Sequence, residues 1–380
     1  MKQLEASYNM LSVTYVSVDS VQEGVGSSQI LPLVKLLALN GYSISLVTCE
    51  KTYPTLDLQQ EVSGLGINWV ILKYGRNGFL GGLARLARLT RRMPRGEILH
   101  ARSDIPAVAA AIRYPNAKIL WDVRSLWADQ RRVINSKGWN LVTFRMALLL
   151  EFIAAKRSAG IVTLTHSVVP ILENRHKNLP RFRAVIPTCT QLDRFLPSPL
   201  PEGELTCLLA GTFNDFYDLN LTKQILQELS KLHTLKVIWA RPSESGTTVL
   251  NVGEAKIISV PYAEMPRVMQ ESHFGIVMCK NENLEALSAV APTKVAEFLA
   301  SGRPLLVSKG IGDLDSIIEK YKVGVVIEPD YKESSLLEFI ELLNDPEIHV
   351  RCRKSAEELF SMDEAVVKYT HLYQNISNHE

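Results

Sequence analysis

The stretch FLPSPLPEGELTCLLA, residues 195–210, joins two unlike kinds of sequence. Phe195–Glu204 carries three prolines and a glycine in ten residues, a composition that resists regular structure. Leu205–Ala210 is an apolar run of strand length. A linker followed by a fresh buried strand divides the chain in two. On the N-terminal side, short apolar runs stand at Leu11–Val18, Ile44–Val47, Trp69–Leu72, Ile98–His100, Ile119–Trp121, Ile161–Leu164 and Ala184–Ile186. Helical periodicity fills the gaps at Gln29–Leu39, Leu80–Arg92, Ile105–Arg113, Leu141–Arg157 and Ser167–Arg175. Pro32 lies just inside the first helix, so its first turn is expected to be irregular. Past the linker the alternation restarts, with strands at Leu205–Ala210, Leu235–Trp239, Lys256–Val260, Phe274–Met278, Pro304–Val307 and Val323–Ile327. The helices between them read Leu219–Lys231, Tyr262–Glu271, Thr293–Ser301 and Asp313–Tyr321.

Strands separated by helices pair in parallel through right-handed crossovers. The expected fold is therefore α/β, two doubly wound Rossmann-like domains facing across a cleft. The boundaries are 1–195 for an N-terminal acceptor domain, 196–204 for the linker and 205–360 for a C-terminal donor domain. Residues 361–380 are a terminal helix expected to cross back to the first domain. At 380 residues each half can bury its own core. Five scattered cysteines, none at CxxC spacing, suggest neither a disulfide framework nor a zinc site. Met1 is followed by polar residues rather than a signal sequence, and Leu141–Ala155 is broken by Arg145 and Glu151. The expected location is cytoplasmic, with peripheral contact at the inner face of the membrane. Charge divides unevenly: residues 1–200 hold 25 Lys+Arg against 13 Asp+Glu, and residues 201–380 hold 17 against 27. A basic half suits an anionic partner, and two oppositely charged domains also attract one another.

In open parallel sheets, ligands sit beyond the carboxyl ends of the strands. The first such loop, DSVQEGVGSSQ (Asp19–Gln29), leads through Gly24 and Gly26 into a helix. It fits either a phosphate-facing loop, with Gly26 a donor-binding candidate, or a plain turn. The richest segment is APTKVAEFLASGRPLL, residues 291–306. Pro292 opens a helix, Thr293 and Lys294 stand in its first turn, Glu297 follows three residues on and Gly302 ends it. A cation beside exposed helix amides can hold a diphosphate, and a carboxylate one turn along can accept two ribose hydroxyls. An ordinary surface Lys–Glu pair would give the same spacing.

The pattern PTK-x-x-E-x-L-A-x-G-x-P resembles the donor-binding signature of the retaining family-4 glycosyltransferases, which have the GT-B fold. The opening VTYVSVDSVQEGVGSSQILPLVKLLALNGYSISLVT, the segment AVIPTCTQLDRFLP and Gly211-Thr212 after LTCLLA resemble the same family, so the likeness spans nearly the whole chain. The resemblance implies that Glu297 contacts the donor ribose and that Gly211 and Thr212 form the first glycine turn of the donor domain. Family members carry a second glutamate where this chain has Ala289, and Glu285 or Glu282 are the nearby carboxylates. They also carry an Arg and a Lys after the glycine turn, where this chain reads GTFNDFYDLNLTK. Lys294, Arg241 and Arg102 are the candidates to replace those bases.

On the acceptor side, HARSDIP (His100–Pro106) and ILWDVRSLWADQRR (Ile119–Arg132) leave strand ends. Asp122 and Arg124 fall where related enzymes keep a polar pair, so Asp122 could orient or deprotonate an acceptor hydroxyl and Arg124 hold developing charge. A buried ion pair closing the strand end is the other reading. Arg85, Arg88 and Arg92 lie in LGGLARLARLTRRMPR, which suggests contact with an anionic membrane or a pyrophosphate-lipid acceptor. A solvated basic face is the other reading. No aromatic platform accompanies these arginines, which argues against nucleic acid. The resemblance implies sugar transfer from a nucleoside-diphosphate sugar to a saccharide or lipid-linked hydroxyl in glycan assembly, with retention. No DxD-type motif lies in a donor loop, so no cofactor and no essential metal are expected. A nucleotide-sugar epimerase and a non-catalytic GT-B binding subunit are the alternatives.

Overall fold

The computed structural model describes residues 11–133, 141–213, 216–241, 246–249 and 254–379. Seven parallel strands form the first sheet: β1 Ser12–Val16, β2 Ser43–Glu50, β3 Asn68–Lys73, β4 Ile98–Arg102, β5 Lys118–Val123, β6 Gly160–Thr163 and β7 Phe182–Val185. Their order is β3-β2-β1-β4-β5-β6-β7, so the topology reverses between β1 and β4. The second sheet contains β8 Leu205–Ala210, β9 Leu235–Arg241, β10 Gly246–Val249, β11 Glu254–Ser259, β12 Phe274–Val277, β13 Leu305–Ser308 and β14 Gly324–Ile327. Its order is β10-β11-β9-β8-β12-β13-β14, parallel except for the β10–β11 pair, and it reverses between β8 and β12. Helices cover both faces of each sheet, as near-continuous apolar strands require. The result is two doubly wound α/β domains.

The first helix begins irregularly. Gly26–Ile30 forms a π-type turn before the regular helix Leu31–Leu39, with Pro32 in its opening turn where a missing N–H does no damage. Several elements lay beyond the periodicity: β10 and the helices Leu56–Gly64, Glu333–Leu343 and Ile348–Leu359. All five cysteines are buried free thiols. Among the described residues, no helix is long and apolar enough to cross a membrane.

Two close packings set up the cleft. The helix Thr293–Ala300 lies against β12, where a Cβ on Gly275 would come within 2.5 Å of the Phe298 ring. The last helix, Met362–Ser377, packs on the first sheet, burying Tyr369, Leu372, Tyr373 and Ile376 among Val13, Tyr15, Leu120 and Val162. The domains also touch through the loop after β6. Asp313 accepts hydrogen bonds from the backbone N–H groups of His166 (2.7 Å) and Ser167 (2.9 Å) and from Ser167 Oγ (2.7 Å).

Candidate active site

One wall of the candidate site, where the donor was expected, is built at the β8/β12 reversal. Gly211 follows β8 with φ +82°, a left-handed conformation that glycine adopts without steric cost. Its N–H donates to Ala240 O (2.8 Å) and its carbonyl accepts from Trp239 Nε1 (2.9 Å). The turn therefore presents Thr212 outward, exposed beside it. Arg241 stacks over the Trp239 ring at 4.8 Å, so it sits on the same wall.

Facing this turn is the helix start at Thr293. Pro292 occupies the N-cap, one position earlier than the first helical residue, and no side chain caps the helix. Its opening amides remain a positive end for an anion. Lys294 Nζ lies 4.1 Å from the centre of the Tyr217 ring and 5.2 Å from that of Phe213, a cation–π seat. Burial pushes its pKa down to about 8, opposed by the field of Cys279 and Glu297. Glu297 is buried and accepts a hydrogen bond from Tyr262 Oη at 3.1 Å. Burial raises its pKa to about 7, while the Tyr262 bond and Lys294 pull the other way. Lys294 and Glu297 are thus not a surface pair, since Glu297 is buried, Lys294 is half-buried and each is held by aromatic partners. Tyr262 is itself pinned by Arg194, whose guanidinium lies 4.5 Å over the ring and whose Nη2 donates to the Tyr262 carbonyl at 3.3 Å. Arg194 comes from the approach to the linker and has no local sequence signal pointing to it.

Ala289, standing where a glutamate was expected, is 2% exposed and packs in the apolar cluster of the first domain with Trp121 and Leu126. A carboxylate would be desolvated there. Glu285 does not take its place, because it pairs with Arg175 of the other domain at 2.6 Å.

The other wall, where the acceptor was expected, lies at the β1/β4 reversal. Gly26 is confined: a Cβ there would lie 1.7 Å from the Ser20 carbonyl oxygen. The loop before it is tied to Glu50, a buried residue that sequence reasoning missed. Glu50 accepts from Ser20 Oγ (2.5 Å), Val21 N (3.1 Å), Gln22 Nε2 (3.1 Å) and Thr48 Oγ1 (2.6 Å). Gly26 accordingly shapes the loop and need not touch a ligand itself.

Asp122 is fully buried. Its Oδ1 accepts from Arg124 Nη1 at 3.1 Å; its Oδ2 accepts from Tyr369 Oη at 3.3 Å and lies 3.3 Å from His100 Nε2. Arg124 and His100 outweigh burial and hold the carboxyl well below the usual carboxylate range. The geometry favours the second of the two readings of Asp122, a buried ion pair with Arg124 that closes the strand end and fixes the guanidinium. Arg102 is also buried, with Nε 3.5 Å from Asp19 Oδ2, so it belongs to this wall and not to a membrane-facing surface.

The helix Gly78–Arg92 corrects the basic-face expectation in part. Arg85 is buried, stacks 4.2 Å from the Tyr74 ring and donates to the Arg76 carbonyl at 2.9 Å. Arg88 donates to the carbonyls of Lys73 (3.0 Å) and Tyr74 (3.3 Å). Both tie down the loop after β3. Arg92 is exposed, as are Phe79, Leu80 and Leu83 on the same helix.

This arrangement has close counterparts in shape. Sucrose-phosphate synthase from Thermosynechococcus elongatus superposes with a TM-score of 0.73 at 13% identity, over 96% of this chain and 99% of that one. A glycosyltransferase from Rickettsia africae gives 0.67 at 15% identity, over 98% and 100%. The Anabaena protein HepE, solved with UDP and glucose, gives 0.67 at 11% identity, over 97% and 100%. The chain has the GT-B glycosyltransferase fold. No protein-family model matches it, and no curated protein matches its sequence. At these identities the likeness to GT-B structures fixes architecture, while function must be argued from the site.

Proposed function

We propose that the chain is a glycosyltransferase that moves a sugar from a nucleoside-diphosphate donor to a saccharide or lipid-linked hydroxyl. The observation that carries this reading is the pairing of Lys294 and Glu297 at an uncapped helix start beside the Gly211 turn. The helix amides of Thr293 and Lys294 would hold the diphosphate, with Lys294 neutralising the leaving group. Glu297, oriented by Tyr262, would accept from the ribose hydroxyls. Thr212 and Arg241 would border the sugar and base. Closure of the two domains would exclude water from the transfer. HepE, of the same fold, was solved with UDP, which supports a diphosphate donor here. Retention of configuration, a role in glycan assembly and independence of an added metal complete the proposal. Phe79, Leu80 and Leu83, exposed near the start of the helix Gly78–Arg92, are the residues that would insert into a membrane surface.

One observation favours a second reading, a binding subunit without catalysis: Ala289 is sealed in an apolar cluster where a carboxylate was expected. Thermal shift against UDP, GDP, ADP, CMP, dTDP and their sugars decides the first point. A ligand well above its Kd should raise stability by about 2–4 kcal/mol. A folded chain that none of them stabilises would sink the transferase reading. A chain that binds a nucleotide sugar but releases no nucleoside diphosphate with any acceptor would favour the binding subunit.

A further inference from the structure

At the β1/β4 reversal, one face of the first sheet carries a run of polar side chains that the donor site does not use. Tyr15 pairs in register with His100, and Arg102 with Asp122, so these residues and Arg124 project toward the same side of the sheet. Asp122 is satisfied by Arg124, His100 and Tyr369, and His100 Nδ1 meets Tyr373 Oη at 2.6 Å. Three neighbouring donors are not satisfied: Tyr15 Oη, Arg102 Nε and Arg124 Nε are buried without a hydrogen-bond partner. Tyr15 is 0% and Arg102 4% exposed, so bulk water does not stand in for the missing acceptors. The nearest carboxylate outside the network, Asp19, lies 3.5 Å from Arg102 Nε but makes no hydrogen bond to it. Its side chain is 48% exposed and sits on the loop at the mouth of the cluster.

Leaving a buried donor unpaired is costly, and more so for a guanidinium. Three such donors from adjacent strand ends, two of them cationic, therefore describe a site complementary to a group with several anionic oxygens. A reversal of strand order is also where ligands of doubly wound sheets bind. We propose that Tyr15, Arg102 and Arg124 bind a phosphate group carried by the acceptor, and that Asp19 covers the entrance until the acceptor arrives. This rests on the transferase reading, in which the acceptor enters on the first domain. A phosphate supplies one oxygen for each of the three donors, whereas a carboxylate supplies two. Asp122 and Tyr369 are positioning residues here, since they hold Arg124 and leave its Nε free to point at the ligand.

Calorimetric titration of the full chain with inorganic phosphate, with and without a saturating stabilising nucleotide, tests the inference. Phosphate should bind in both cases, and more tightly than acetate. Tyr15→Phe removes a hydroxyl whose only polar neighbour is the Arg102 side chain, so its melting temperature should change little, yet phosphate should bind about tenfold more weakly. Arg102→Gln should weaken it by at least as much. Loss of phosphate binding when nucleotide is present would assign the anion to the donor diphosphate and overturn the acceptor assignment. Absence of phosphate binding in a chain that still binds nucleotide would show the unpaired donors to be merely hydrated, and the inference would fall alone. Phosphate binding unchanged in Tyr15→Phe and Arg102→Gln would place it elsewhere. Phosphate bound by a chain that binds no nucleotide would keep the anion site and remove the transferase reading on which its acceptor role depends.

Discussion

Lys294 and Glu297 were legible because a helix start announces itself: a proline, a threonine, a cation and a carboxylate at fixed spacing. The residues that hold them in place were not legible. Tyr262 is 35 residues from Glu297 and Arg194 lies beyond it toward the linker, so only the fold brings them together. Glu50 was missed for the same reason, because a single glutamate ending a strand looks like any exposed charge until the glycine loop folds over it. Asp122 was found with two readings left open, since sequence shows the carboxylate and not the donors His100 and Tyr369 around it. Two predictions belong at this scale. Burial favours neutral Lys294, whose proton is held below about pH 8 and lost above it. A diphosphate needs the cation, so donor affinity should be retained below that value and fall as pH rises through it. The fall should approach about tenfold per pH unit, with proton uptake on binding. Calorimetry at pH 7 and pH 9 reads this directly. Lys294→Met should bind weakly and lose the fall with rising pH, and equal affinity of the intact chain at both pH values would remove Lys294 from the diphosphate. Glu297→Gln keeps the shape and removes the charge-assisted acceptor, so nucleotide affinity should drop roughly 10- to 100-fold with little change in stability. An unchanged Kd would take the ribose away from Glu297.

Alternating strands and helices were readable because both faces of each sheet are covered, which makes every strand a short continuous apolar run. Elements outside that grammar escaped. The helix Leu56–Gly64 buries only Val62 and is marked chiefly by its cap, Thr55, which accepts from Leu58 N at 3.4 Å. The helix Gly78–Arg92 was placed by its arginines, but its arginines could not be sorted. Arg85 and Arg88 turn back onto carbonyls of the preceding loop, and exposed Arg92 ends the helix about three turns from exposed Leu80 and more than two from Leu83. The proposed membrane contact would therefore rest on the apolar residues more than on the charge. Leu80→Asp should reduce co-sedimentation with vesicles rich in anionic phospholipid without lowering the melting temperature, and unchanged sedimentation would remove this helix from the membrane. The donor helix depends on an element contact no motif reports. Gly275 lets it approach β12, and the buried Phe298 ring fills the space a side chain would need. Gly275→Val should cost about 1–3 kcal/mol by overpacking, read by denaturant titration. It should also weaken nucleotide binding, because the helix start moves with Phe298. A destabilised variant with unaltered nucleotide affinity would show that the donor site tolerates that displacement.

At the scale of the molecule, the two domains of opposite charge meet through few but directional contacts. The Arg175–Glu285 pair crosses between them at 2.6 Å and reaches buried Asp129 and Glu151 on the basic side. Asp313 of the acidic half takes three hydrogen bonds from His166 and Ser167. The sequence predicted two domains and a linker, but domain contacts are made by loop backbone, whose partners no periodicity encodes. Charged hydrogen bonds of this kind are worth about 1.5–3 kcal/mol each when sheltered, and less where solvent reaches them. Removing the acceptor should therefore shift the balance between closed and open arrangements without unfolding either sheet. In Asp313→Ala the N–H groups of His166 and Ser167 lose their partner but can turn to water once the domains part. Small-angle scattering should then show a larger radius of gyration than in the intact chain, with the melting profile of each domain preserved. Nucleotide binding, confined to the acidic half, should survive, while sugar transfer, which needs both walls together, should drop more than tenfold if closure makes the site. An unchanged radius with unchanged transfer would mean that the domains are held by their apolar contact around Ala289, and that Asp313 only trims it.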